Sequence, residues 1–440
     1  MRASAWKIGI TAGLGGLLFG FDTAVIAGTT DALAGVFHLT PFELGFTVAS
    51  ALLGTIPGAA LAAVPSDRFG RRSTLKALGL IYVVSAVGCA FAWNWPVFLI
   101  FRMIGGLGIG GCSVVAPMYI AEVSPAAHRG RMVGLFQVNV VIGILLAYVS
   151  NFLVSLLSFG AYEWRWKFGV AAVPAMLFWL MLFGIVESPR WLLSKRRDVE
   201  ARASLERIGN EDPDGEYARI RFALRNEEAQ NVTALFSPQI RKPVFLAITI
   251  AALNQLSGIN AILYYLNDIF AAAGFNKLSG NVQAVIVGLT NLVFTLIAMN
   301  FIDRFGRRFL LLVGSIGTAI ALGCTAGIFQ TGHHAQWLLW MLIVFIASFA
   351  FSQGAVVWVY ISEIFPNHVR AAGQSLGSMT HWILNAVITL VFPLIAVHSH
   401  AVPFYFFSAM MALQFVLVAT VFPETRARNL ESIENEFLHV

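Results

Sequence analysis

Two charged side chains stand inside long apolar runs. Asp22 lies in Leu17-Leu18-Phe19-Gly20-Phe21-Asp22-Thr23 and Arg102 in Phe98-Leu99-Ile100-Phe101-Arg102-Met103. An acid or base at the centre of a lipid-crossing segment costs about 2.5–3.5 kcal/mol on insertion scales, so each should face a polar cavity and find a partner. The simplest partners are each other. Ionised, the carboxylate holds the arginine; protonated, it is neutral and releases it. Nearby positive charge lowers a carboxyl's proton affinity and burial raises it. A pair that separates in one conformation therefore makes proton binding depend on conformation, which is what proton coupling requires. The competing readings are a static pair fixing two helices, and an Arg102 that reaches a membrane surface with its long stem.

A second group of polar side chains also sits where lipid forbids it. Gln137 and Asn139 fall in one apolar run, and Asn254, Gln255, Asn260, Tyr264 and Tyr265 in another that Ser257-Gly258 interrupts. Asn291, then Gln353 with Trp358, then His381, Trp382 and Asn385 occupy three more. Gln255 and Asn260 are about 140° apart on an ideal helix. A kink at Ser257-Gly258 brings them towards one cavity. Amides both donate and accept hydrogen bonds, which suits a neutral polyhydroxyl solute, and Trp358 offers a face for its C–H surface. For any one amide the alternative is a helix–helix hydrogen bond worth under about 1–2 kcal/mol. His381 is read as a hydrogen-bond partner rather than a titrating group.

The elements that must position these residues follow from composition. The chain is 58% hydrophobic and 12% charged, with a mean hydropathy of +0.75; soluble domains carry about 25% charged residues. So much apolar surface needs lipid as solvent. Twelve runs have the length of about 20 residues that a span requires: roughly 8–30, 44–64, 75–93, 97–119, 132–154, 168–186, 244–271, 281–301, 309–330, 337–361, 371–396 and 403–422. Arginines and lysines collect on one side of this twelve-span reading, while the opposite loops hold only Arg165, Lys167 and Lys277. This bias predicts both termini in the cytoplasm and accounts for the basic balance without nucleic acid. Cys89, Cys112 and Cys324 all fall in spans without metal-ligand spacing, and are expected to be small buried hydrophobes. The first run lacks a small-residue cleavage site and is expected to be retained. Segment 188–243 is the one sizeable polar piece, with short amphipathic helices expected at 198–209 and 214–230 around a turn at Asn210–Gly215.

Asp-Arg-Phe-Gly-Arg-Arg occurs twice, at Asp67–Arg72 and Asp303–Arg308, and 303 − 67 = 236 residues separate the copies. Glu122 with Arg129 recurs as Glu363 with Arg370, and Glu187-Ser188-Pro189-Arg190 loosely as Pro423-Glu424-Thr425-Arg426. Ordered pairs at one offset indicate parallel duplication. In a membrane protein such repeats point to a transporter with its substrate site where the repeats meet. The expected domains are an N-terminal six-helix bundle 1–187, a linker 188–243, a C-terminal bundle 244–425 and a tail 426–440. Asp67, Arg68, Arg72, Glu122, Arg129, Glu187, Arg190, Asp303, Arg304, Arg308, Glu363, Arg370 and Glu424 all fall at one set of span ends. Acid and base gathered there can form a latch between halves, a bistable element of the kind switching needs; topology alone would also place these arginines there.

At these residues the chain resembles the sugar porter family of the major facilitator superfamily. The resemblance rests on Gly15–Thr23, the paired hexapeptides, Arg102–Gly106, Pro117–Glu122, Glu187–Leu192, Gln255–Asn260, Trp358 with Glu363–Pro366, and Pro423–Arg426. It implies an all-α membrane protein of twelve helices in two six-helix bundles, a central sugar site and rocker-switch alternating access, with no enzymatic chemistry and no organic cofactor. It implies sugar contacts from Gln137, Gln255, Asn260, Asn291, Trp358 and Asn385, with Asn254, Tyr265 and His381 as further candidates. An aspartate at Asp22 with Arg102 is associated in bacterial members with proton symport. Asn254 stands where a second glutamine is usual, His381 where an amide is common, and Ala355 where proline is usual, which predicts a stiffer tenth span. The expectation is a monomeric proton-coupled monosaccharide importer of a bacterial inner membrane. Alternatives are a facilitator of the same fold and a polyol or inositol porter.

Overall fold

The structure is a computed structural model that describes residues 3–124, 129–210, 212–225, 235, 237–366 and 369–425. Every regular element among the described residues is helical. Twelve helical segments are long and apolar enough to cross a membrane: Lys7–Gly28, Pro41–Leu61, Arg71–Phe91, Trp95–Val123, Met132–Leu156, Gly160–Gly184, Arg241–Tyr264, Lys277–Ile302, Arg307–Thr331, Ala335–Glu363, Ala372–Ala396 and Ala401–Thr420. They are called the first to twelfth spans below.

The chain divides into two compact units, Met1–Phe37 with Ser50–Glu227 and His38–Ala49 with Glu228–Val440. Within the first, the first span packs along the fifth, and the third against the fourth and sixth. Within the second, the seventh packs along the eleventh, and the ninth against the tenth and twelfth. Each pairing in one unit is the other's shifted by six spans, so the duplication seen in the hexapeptides is also a duplication of packing. The first and fifth spans approach to backbone contact: a Cβ on Gly20 would lie 1.8 Å from the carbonyl oxygen of Val140, and one on Gly143 would lie 2.1 Å from that of Leu17. Small residues permit such approach in lipid, and this one fixes the helix turn that carries Asp22.

Breaks in the first, seventh and tenth spans bear on the site residues. The first is α-helical to Val25 and tightens to a 3-10 turn over Ile26–Gly28. The seventh stops at Leu256, and Gly258 takes the left-handed conformation (φ 79°) before Ile259–Tyr264 resumes, as Ser257-Gly258 predicted. The tenth is interrupted at Ser352 (φ −116°, ψ −88°) between Leu338–Phe351 and Gln353–Glu363. The stiffening expected from Ala355 is therefore corrected: the break sits three residues earlier, without proline. A Cβ on Gly314 would lie 1.8 Å from Ser352 Oγ, so the ninth span closes against the tenth at that point.

Two further expectations change. The sixth span begins at Gly160, not near 168. Glu163 and Lys167 belong to a helix and are buried, at 7% and 1% exposure, so Lys167 is not a loop charge. Apolar-run counting stops at Glu163-Trp-Arg-Trp-Lys because it cannot see that the acid and base pair with each other. Cys89 and Cys112 are buried as expected, but Cys324 is exposed, on a face of the ninth span that points away from its own bundle.

Segment 188–243 holds helices Pro189–Ser194, Asp198–Ile208 and Pro213–Arg225. Ser188 caps the first, accepting from Trp191 N at 3.2 Å, and left-handed Gly209 ends the second. Trp191, Leu192, Leu193, Ala201, Leu205 and Tyr217 form a small core of their own. Trp191 Nε1 donates to Asp67 O at 2.9 Å and Ser204 Oγ to Glu187 O at 2.7 Å. These helices are thereby tied to the first unit. The tail 426–440, including Arg426, lies outside the described residues.

Candidate functional site

In the first unit Asp22 and Arg102 meet. Arg102 Nη1 donates to Asp22 Oδ1 at 2.6 Å, with the arginine side chain 3% exposed and the carboxylate 15%. Arg102 therefore does not reach a membrane surface. Its guanidinium lies 5.5 Å from the centroid of the Phe168 ring, a cation–π distance. Tyr82, 3% exposed on the third span, lies near the Asp22 carboxylate. Sequence reading passed over Tyr82 because a lone tyrosine in a span is ordinarily core. The pair is held but not sealed: the less buried partner is the carboxylate, which is the group that would have to exchange a proton. Gln137, on the fifth span, is half-buried in the same unit.

In the second unit a chain of polar side chains runs from the broken seventh span to the eleventh. Asn260 Nδ2 donates to Gln255 Oε1 at 2.9 Å, and Gln255 Nε2 donates to Asn254 Oδ1 at 3.0 Å. Gln255 Nε2 also lies 3.0 Å from His381 Nδ1. The His381 ring is 4.9 Å from that of Trp358, tilted at 54°. The break at Gly258 is what lets Gln255 and Asn260 bond directly despite their spacing. Asn385 is one turn beyond His381 and 1% exposed; its Oδ1 accepts from Thr389 Oγ1 at 3.2 Å, while its Nδ2 has no partner among the described residues. Gln353 likewise has a buried Oε1 with no partner among the described residues. Buried polar atoms are nearly always satisfied, so an open donor and an open acceptor are what a polar solute would complete. Tyr265 is otherwise engaged: its hydroxyl donates to Thr389 O at 3.0 Å and its ring stacks on Phe392 at 5.1 Å. Asn291 is buried on the eighth span.

In each unit the charged span ends form a cluster, and the two clusters are built alike. Arg71 grips Glu122 with two bonds of 3.0 Å, from Nε and Nη2, and its Nη1 reaches Asp67 at 2.8 Å. Arg307 grips Glu363 with Nε at 3.1 Å and Nη2 at 2.7 Å. Bidentate arginine–carboxylate pairs of this kind are the strong ones. Glu187 accepts the backbone N–H of Arg71 at 2.9 Å and of Arg72 at 3.0 Å, and Glu424 accepts those of Arg307 and Arg308, both at 3.0 Å. Glu187 thus caps the N-terminus of the third span and Glu424 that of the ninth, where their charges also suit the helix dipole. Gly70 (φ 99°) and Gly306 (φ 89°) make the turns. A Cβ there would lie 2.4 Å from Glu187 Oε2 or 2.5 Å from Glu424 Oε2, so any other residue would be strained at this φ and would displace the glutamate.

Arg72 donates to Leu182 O at 3.2 Å and Phe183 O at 2.7 Å. Arg308 donates to Val418 O at 3.1 Å and also to Ala419 O. Arg370 Nε reaches Phe365 O at 3.3 Å, and Thr425 Oγ1 reaches Glu363 at 2.6 Å. Arg68 and Arg304 are exposed and Arg190 is half-buried. The side chains of Arg129 and Asp303 lie outside those described. The centres of the clusters, Arg71 and Arg307, were missed by sequence reading, which gave weight to the second and sixth residues of each hexapeptide rather than the fifth. The signal available was position: the residue directly after the glycine turn starts a helix and points back across it.

Residues 8–437 match the family described as sugar (and other) transporters. An arabinose-proton symporter of Bacillus subtilis is 36% identical, over 97% of this chain and 94% of its own length. A D-xylose-proton symporter of Escherichia coli is 33% identical, over 98% and 95%. A solved structure of the xylose transporter of Escherichia coli, in a partially occluded inward-open conformation, matches with a TM-score of 0.87 at 32% identity, covering 97% of this chain and 100% of that one. The twelve helices, the duplicated arginine–glutamate clusters and a match spanning nearly all residues agree: the chain belongs to the sugar transporter family and is a membrane transporter, not an enzyme.

Proposed function

We propose that this protein is a proton-coupled symporter that imports a monosaccharide, a hexose or a pentose, across a bacterial inner membrane by alternating access. The observation that carries the reading is the Asp22–Arg102 pair, 2.6 Å apart in the interior of the first bundle. The names of the related arabinose and D-xylose symporters support it. The coupling ion is the proton and no organic cofactor takes part. Asp22 binds it, Arg102 tunes and releases it, and the protonation state decides whether the pair holds. Within the second bundle sugar is bound by Gln255, Asn260, Asn291, Trp358 and Asn385, with Asn254 and His381 as partners that orient Gln255; Gln137 is the candidate sugar contact of the first bundle. Both termini and the arginine–glutamate clusters lie on the cytoplasmic side, following the positive-inside bias. There the clusters stiffen the end of each bundle so that each moves as one body, and one copy of the chain is a complete transporter.

The test is uptake of labelled glucose and xylose into proteoliposomes with and without an inward proton gradient. Accumulation above the external concentration only when the gradient is present is the expected result. Uptake that merely equilibrates under both conditions would make the protein a facilitator.

The sugar site has its own expected outcome. Gln255 is 1% exposed and sits at the middle of the amide chain. Gln255→Ala removes its hydrogen bonds to sugar and leaves the partners it orients unsatisfied, which should weaken binding by about 1–3 kcal/mol, or roughly 5- to 150-fold. Calorimetry on the purified variant checks this, and unchanged affinity would remove Gln255 from the site.

A further inference from the structure

The sixth span carries a second buried ion pair that the coupling scheme above does not use. Lys167 Nζ lies 2.6 Å from Glu163 Oε1, one turn away on the same helix, with side-chain exposures of 1% and 9%. Ser155 Oγ of the fifth span donates to the same carboxylate oxygen at 2.7 Å. The ammonium also donates to the carbonyl of Gly28 at 2.7 Å, across from one span to another.

That carbonyl closes the broken end of the first span. The last carbonyls of a helix have no partner within it, and lipid supplies none. Here donors inside and beyond the turn meet them. Asn151 Nδ2 of the fifth span donates to Val25 O at 3.1 Å, Thr29 N to Ile26 O at 2.9 Å, and Lys167 to Gly28 O. A cation at this end also suits the helix dipole. Of these donors Lys167 is the charged one, and charge-assisted bonds are about twice as strong as neutral ones. Its own charge is compensated by Glu163, without which a buried ammonium would not persist.

The residue after Lys167 touches the other half of the coupling pair. The Phe168 ring stands 5.5 Å from the Arg102 guanidinium and packs edge-on against Phe98 at 5.1 Å, one turn before Arg102 on the fourth span. Two adjacent residues of one helix thus hold both members of the pair: Lys167 secures the end of the helix that bears Asp22, and Phe168 lies against Arg102. The titratable groups around the pair are Tyr82 and Cys89, both of the third span; Glu163 and Lys167 pair with each other. Arg165 is directed elsewhere, to Ala90 O at 2.9 Å.

We propose that Lys167 is a positioning residue for proton coupling, setting the separation of Asp22 from Arg102 by anchoring the first span at Gly28. The inference rests on the reading of Asp22 as the coupling carboxylate.

The experiment compares two activities of the same proteoliposomes: accumulation of labelled sugar driven by a proton gradient, and exchange of labelled for unlabelled sugar at equal pH. Lys167→Met should reduce gradient-driven accumulation by about tenfold relative to exchange, within the usual range of coupling effects, and Lys167→Arg should restore most of it. The double variant Glu163→Gln/Lys167→Met, which leaves no lone buried charge, should show the same selective loss, and it serves where the single variant does not fold. A proportional fall in both activities would make the pair structural only, and unchanged accumulation would overturn the proposal outright. Asp22→Asn is run beside them. If it retains accumulation, the coupling reading itself fails; if it loses accumulation while the Lys167 variants behave like the native protein, only the positioning role fails.

Discussion

Asp22→Asn is expected to lose all sugar accumulation driven by a proton gradient. At one proton per sugar, each pH unit is worth 1.36 kcal/mol and supports about tenfold accumulation. The native protein should approach that ratio, and the variant should stay near unity. The reason lies in the pair. Arg102 is 3% exposed and bonded to Asp22 at 2.6 Å, so a neutral partner must break or weaken a contact whose strength depends on charge. Asparagine is close to isosteric with the protonated acid. It mimics one state permanently and cannot cycle, so sugar movement no longer carries a proton. Proteoliposome uptake at a series of imposed gradients measures this. A variant that still accumulates sugar would show that the coupling proton binds elsewhere, and Glu163 would become the first group to examine.

The pair itself was legible in the sequence because it violates a strong rule. Charges in apolar runs are costly, and Asp22 and Arg102 have few alternatives. The twelve spans were legible for the same reason: lipid imposes length and composition with little room for variation. The polar chain through Asn254, Gln255, Asn260 and His381 was named residue by residue, but its wiring was not. Which amide faces which depends on the left-handed turn at Gly258, and a five-residue spacing alone cannot supply that.

The sixth span shows where the reading of runs breaks down. Glu163 and Lys167 looked like loop because each is polar. As a pair at i and i+4 they are nearly neutral, and their helix accepts burial. Sequence hydropathy adds residues one at a time, whereas burial of charge depends on pairs. The break at Ser352 is a related case. Proline is the familiar cause of a kink, and its absence at Ala355 suggested a straight helix. The close approach of Gly314 to Ser352 comes from a distant part of the chain and has no local signature.

The same lesson gives a sharp contrast among the hexapeptide arginines. Arg68 and Arg304 are exposed, while Arg71 and Arg307 are 10% and 11% exposed and hold Glu122 and Glu363. Arg71→Ala leaves Glu122, 9% exposed, without its bidentate partner. Stranding one member of a buried pair costs about 3–5 kcal/mol, so the midpoint of thermal unfolding in detergent should fall sharply for Arg71→Ala, and less for Arg307→Ala, whose partner Glu363 is 25% exposed. Arg68→Ala with Arg304→Ala should leave it nearly unchanged. The double variant Arg71→Met/Glu122→Gln separates the causes. It removes the grip without stranding a charge and should recover much of the lost stability. If it is as unstable as Arg71→Ala, packing of the arginine stem rather than its charge holds the cluster. If Arg71→Ala is as stable as the native protein, the two fifth-position arginines are not the centres of their clusters, and the matching geometry of the two turns would have to come from Glu187 and Glu424 capping the helices that follow Gly70 and Gly306.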